Sequence, residues 1–205
     1  MAKVPATVNI GVGPTIGTVM RPGADGPAPV SVGIALVAEG WVSGKTLHSK
    51  KVMKRVPRQY KGMVRNMDDL HVVPLPAMVV PDQVLLVPLN EEKAGAGVQA
   101  VGWTPISMGL VHKVKPMHVQ VSAAPRLAWV GIRPDAEADR DNLGWLGIDI
   151  APEVQSAMSR KVGFAAGGNI GPGLALGATD RASAPWLWAD AYLRLQLRFP
   201  IEVDM

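Results

Sequence analysis

Cysteine is absent from the 205 residues, which excludes a disulfide framework and any Cys-ligated metal site. Charge is scarce at 19% of positions, and aromatics are scarcer, with six Trp, two Tyr and two Phe. No run approaches the ~18 apolar residues that a membrane-spanning helix requires. The opening Met1-Ala2-Lys3-Val4-Pro5 lacks the apolar core of a signal peptide, so an exported protein implies a processed or trimmed form of the chain. The 22 Gly and 18 Pro punctuate the sequence too heavily for a helix bundle.

What is present is alternation, the mark of a strand with two different faces. At the C-terminus Ala189, Ala191, Leu193, Leu195, Leu197 and Phe199 interleave with Asp190, Tyr192, Arg194, Gln196 and Arg198. The pattern recurs at 161–177 and 6–20, where the second face is rich in glycine, and at 143–156 and 116–132; segments 28–42 and 95–111 follow it more loosely. Residues 71–89 are apolar but interrupted by Pro74, Pro76, Pro81 and Pro88, which fits an edge-like or bulged strand or a short hairpin. Counting 71–89 once gives eight long strands, and eight long strands suggest closure. The expected fold is all-β: a single domain over 1–205, an antiparallel up-and-down barrel of eight strands, with a basic insertion of helical character at 43–70.

Its charges are sorted. Eight bases and no acid lie between Gly40 and Met67, leaving 13 bases against 17 acids elsewhere. The odd-numbered connections carry Asp25, Glu91, Glu92, Asp135, Glu137, Asp139, Asp141 and Asp180; the even-numbered ones carry the basic block, Lys113, Lys115 and Arg160. In a meander these two sets lie at opposite ends, one acidic and the other basic and shared with the termini.

Alternation alone cannot say which face is inside. A membrane barrel turns apolar residues to lipid and keeps charged and small ones within. Strand lengths of about 14–17 residues exceed the roughly 9–11 needed to span. Glu39, Arg126, Asp149, Glu153, Asp190, Arg194 and Arg198 form a set able to neutralise itself in a narrow lumen, with Asp190, Arg194 and Arg198 as a row of salt bridges. Trp41, Trp129, Trp145, Trp186 and Trp188 fall near strand ends, as interfacial anchors do, with Trp103 the exception. Glycines lining a small barrel would relieve crowding.

With Val8-Asn9-Ile10-Gly11-Val12-Gly13-Pro14 near its start, Leu195-Gln196-Leu197-Arg198-Phe199-Pro200 near its end and an even strand count, the chain resembles small single-chain bacterial outer-membrane β-barrels. It departs from them in continuing through Glu202-Val203-Asp204-Met205 beyond the terminal aromatic. The resemblance implies a transmembrane-type barrel in a bacterial outer membrane with a structural, adhesive or lipid-interacting role, and it carries over no catalytic residue. The alternatives are a soluble β-barrel or β-sandwich binding protein and a viral structural subunit.

Candidate chemistry is sparse. In the basic block Val52, Val56, Tyr60, Met63, Val64 and Met67 recur at helical spacing, and Pro57 can open a second helical stretch. Lys50, Lys51, Lys54, Arg55, Arg58, Lys61 and Arg65 are the candidates for contact with an anionic surface; a solvated loop without a ligand is the plain alternative. Tyr60 alone is too little aromatic surface for a nucleic-acid platform, so no nucleic-acid partner is expected. His48, His71, His112 and His118 have no metal-ligand spacing. Gly11-Val12-Gly13 and Gly40-x-x-x-Gly44-Lys45-Thr46 are only fragments of phosphate loops. The reading is therefore no enzyme, no cofactor and no metal, with membrane lipid or detergent as the partner and no oligomeric state specified.

Overall fold

Alternating branched apolar and small or polar residues do not fit the 3.6-residue period of a helix, and in the computed structural model they form strands. The structure describes residues 3–20, 30–73, 80–89, 97–133, 141–177 and 185–204. The strands are β1 (Lys3–Met20), β2 (Ser31–Val42), β3 (Asp69–Val73), β4 (Gln83–Pro88), β5 (Gly97–Trp103), β6 (Ser107–Val114), β7 (Met117–Arg133), β8 (Asp141–Ala157), β9 (Val162–Leu176) and β10 (Pro185–Asp204). Three short helices, α1 (Gly44–Leu47), α2 (Lys50–Arg55) and α3 (Lys61–Arg65), with a 3-10 turn at Arg58–Tyr60, lie between β2 and β3.

All strand pairings are antiparallel, and β1 pairs with both β2 and β10, so the sheet closes on itself. The ten segments occupy eight positions round the ring. β3 and β4 follow one another beside β2, and β6 and β5 lie end to end beside β7. The stretch 71–89 is thus two in-line segments on one position, not a hairpin. The break opposite Leu36 is partly bridged by the Leu36 N–H donating to the Asp82 carbonyl at 2.7 Å. Between β5 and β6 the residues Thr104-Pro105-Ile106 interrupt the ladder: Trp103 faces Leu127 and Met108 faces Ala123, one residue more on this side than on β7.

The faces are inverted relative to a water-soluble barrel. Along β7 Val119, Val121, Leu127 and Trp129 point outward, and along β8 Leu146, Ile148 and Ile150 do so, with Ile148 63% exposed. Between them, at the alternate positions, Gln120, Ser122, Arg126, Asp149, Glu153 and Gln155 are buried inside the ring. An apolar cluster fills the interior at the end away from the termini, built on Val19, Leu85, Val98, Val130, Trp145, Trp186 and Trp188.

This corrects the reading of the tryptophans as interfacial anchors. Trp129 faces outward, but Trp41, Trp145, Trp186 and Trp188 are buried within the barrel. Space for Trp145 comes from glycine: a Cβ at Gly147 would stand 2.2 Å from its ring, and one at Gly173 2.4 Å. Gly163 makes the same allowance for Arg198, with 2.6 Å to its Nε. The large indole therefore occupies the glycine-lined face, where it packs in the apolar plug.

Candidate functional site

The period-2 pleat of eight strands directs their polar faces to one axis, and a buried charge there must find a partner. Two connected groups result. Nearer the termini, Glu39 accepts hydrogen bonds from Asn9 Nδ2 and Gln155 Nε2, both at 2.9 Å, and contacts His71 Nε2. Glu153 pairs with Arg194 and accepts from Gln120 Nε2 at 2.8 Å, Gln155 Nε2 at 2.6 Å and the Tyr192 hydroxyl at 2.8 Å. Arg198 donates to Gln155 Oε1 at 3.3 Å and lies over the Trp41 ring.

Deeper, Arg126 pairs with Asp149 and reaches Asp82 at 3.2 Å, its guanidinium 4.9 Å from the centre of the Trp188 ring. Asp82 accepts from the Thr104 hydroxyl at 2.6 Å. Asp190 accepts from Trp188 Nε1 at 2.6 Å and Asn169 Nδ2 at 2.9 Å. Between the two groups is a cavity of about 60 Å³ lined by Glu39, His71, Asp82, Gln120, Asp149 and Arg194, among others. Its size suits a few water molecules and falls well short of the several hundred Å³ of a small-molecule pocket. Among the described residues no set of three or more His, Asp or Glu side chains is placed to hold a metal ion.

Glu39, Arg126, Asp149, Glu153, Asp190, Arg194 and Arg198 are all inside the barrel, but they do not form one network. The row Asp190, Arg194, Arg198 is not a set of mutual salt bridges: Asp190 belongs with Trp188 and Asn169, Arg194 with Glu153, and Arg198 with Gln155. Sequence reasoning missed His71 and Asp82 as partners because both lie in the Pro-interrupted stretch 71–89, where alternation is lost. Asn9, Gln120, Gln155 and Tyr192 sit in phase with the charged positions, so alternation carried a signal for them.

At the end with the termini the basic segment is fastened at both sides. The Ser43 N–H donates to the Pro5 carbonyl at 3.1 Å and the Gly44 N–H to the Asp69 carboxylate. A Cβ at Gly44 would lie 1.6 Å from the Asp68 carbonyl oxygen, so only glycine permits this approach. Asp68 in turn accepts from the Lys113 backbone N–H at 3.0 Å and pairs with His112 at 2.7 Å, and these partners hold its carboxyl below the usual carboxylate range. Within the segment, Ser49 caps α2 by accepting from the Val52 N–H. Val52, Val56, Val64 and Met67 are half-buried, while Tyr60 and Met63 are 49% and 54% exposed. Lys50, Lys51, Lys54, Arg55, Arg58 and Arg65 are exposed and Lys61 is half-buried. The acids of the opposite end, Asp25, Glu91, Glu92, Asp135, Glu137, Asp139 and Asp180, and the Asp141 side chain lie outside the described residues.

The chain matches no protein-family model, and no curated protein matches it in sequence. Among solved structures it is similar to Ail, the attachment invasion locus protein of Yersinia pestis, with a TM-score of 0.48 and 8% identity over 97% of this chain and 100% of that one. Ail in complex with the heparin analogue sucrose octasulfate gives a TM-score of 0.45 and 7% identity over 96% and 99% of the two chains. Neisserial surface protein A gives 0.40 and 10% over 95% of each. This chain's barrel assignment stands on the closed ring of strands.

Proposed function

We propose that this protein is a non-enzymatic barrel of a bacterial outer membrane, spanning the bilayer with a side-chain-filled interior and acting through what its two ends present, in a structural, adhesive or lipid-interacting role. One observation carries the reading: the outward positions of the long strands are apolar while the inward ones hold the charge. On β10 the outward row runs Leu193, Leu195, Leu197, Phe199, Ile201 and Val203, each 40% exposed or more, against buried Arg194, Gln196 and Arg198. Leaving such a continuous apolar surface in water is costly, whereas lipid covers it without loss.

The paired interior charges and the small cavity support a role without turnover, since the interior acids and bases are engaged chiefly with one another. The test is heat-modifiable migration. Folded in detergent or lipid, the unboiled protein is expected to run as a compact band that shifts on boiling, and to aggregate when detergent is withdrawn. A folded monomer that stays in solution without detergent would overturn the proposal.

A further inference from the structure

The basic rim is not needed to close the barrel, and its composition points outward. Over the 28 residues from Gly40 to Met67 there is no acid. Among the described residues the cations of α2 and α3 and of the turn between them have no ion-pair partner; the pairs at this end are Lys3–Glu202, His112–Asp68 and Lys113–Asp69. The same rim carries exposed Lys115 in the turn between β6 and β7, and exposed Arg160 and Lys161 in the turn between β8 and β9. Cations at every described connection on one end suit an extended anionic surface better than a single linear polyanion. Beside them Tyr60 and Met63 expose apolar surface, and the outward row of β10 ends nearby at Ile201 and Val203. Cationic and amphipathic side chains next to a lipid-facing band have the chemistry of a headgroup layer.

We infer that the rim formed by residues 44–67 binds the anionic headgroups of the lipid leaflet that this end of the barrel meets. The inference rests on the bilayer-spanning reading above. Screening by salt should weaken it, because the cations are exposed.

The full chain is reconstituted in vesicles of phosphatidylcholine alone and of phosphatidylcholine with about one third phosphatidylglycerol, and amide hydrogen exchange is followed across residues 44–67. Exchange is expected to slow roughly tenfold with phosphatidylglycerol, as engagement of one or two cations implies, and to recover at high salt. Replacing Lys50, Lys51, Lys54 and Arg55 by Gln should abolish most of the difference while leaving the heat-modifiable band intact; the salt titration of the unaltered chain tests the same point without a variant. Failure to insert into either vesicle would refute the bilayer-spanning reading itself. Insertion into both with equal exchange would refute this inference alone. Equal slowing by inorganic phosphate over phosphatidylcholine would assign the rim to a free anion, and stronger slowing by an oligonucleotide would assign it to nucleic acid; either result overturns the lipid assignment.

Discussion

Arg126 shows what a single residue does inside this ring. At 1% exposure it holds both Asp149 and Asp82, and Gly102 stands aside for it, since a Cβ there would be 2.7 Å from its Nη1. Truncating it leaves Asp149 buried beside the second carboxylate with no cation. Arg126→Ala is expected to cost about 3–5 kcal/mol in denaturant unfolding from detergent, as for one-sided loss of a buried pair. Arg126→Ala with Asp149→Ala should cost clearly less than the sum of the two single changes; simple additivity would show that the pair is not coupled. Much of this was legible residue by residue, because parity decides the side. Trp186 and Trp188 share parity with Asp190 and Arg194, Trp145 with Asp149 and Glu153, and Trp41 with Glu39, whereas Trp129 shares parity with Leu127. Proximity to strand ends suggested a membrane girdle for all five; phase along the strand separates the four buried rings from the exposed one.

At the level of elements, glycine and tryptophan are matched across neighbouring strands. Trp145 on β8 extends over Gly147 of its own strand and Gly173 of β9, so the plug depends on the small residues facing it. Gly173→Val is expected to displace the indole, lowering stability by about 1–3 kcal/mol through overpacking and shifting tryptophan emission to the red. Unchanged emission with unchanged stability would show that the indole does not depend on that space. The long strands β1 and β7 to β10 were readable because an uninterrupted period of two admits one pleat and one pair of faces. The positions holding β3 to β6 were less so. Pro81 and Pro105 supply no N–H to a ladder, and around them alternation stops marking which side a residue takes. Asp82 and His71 therefore entered the interior without announcing it.

For the whole molecule, the relevant property is occlusion. Eight strands enclose an interior that side chains can just fill; here hydrogen-bonded charge is buried nearer the termini and the Trp145, Trp186 and Trp188 cluster at the other end. In a planar bilayer the protein is expected to pass no steady ionic current, and stable single-channel steps would contradict a closed interior. The sorting of cations to one end was visible because the basic block is contiguous in sequence. Which of the described cations there stay without an ion-pair partner was not, since sequence order does not show which charges meet once neighbouring strands are aligned.

Closure itself has a temporal side. Lys3 faces Asp204 and Met20 faces Leu187, so the seam of the ring joins the two ends of the chain. Every other strand pairs within a shorter stretch, but this ladder cannot begin until β10 has been made, and until then two open edges remain available to other chains. Joining β1 to β10 is thus the step that turns a sheet with two open edges into a ring with none.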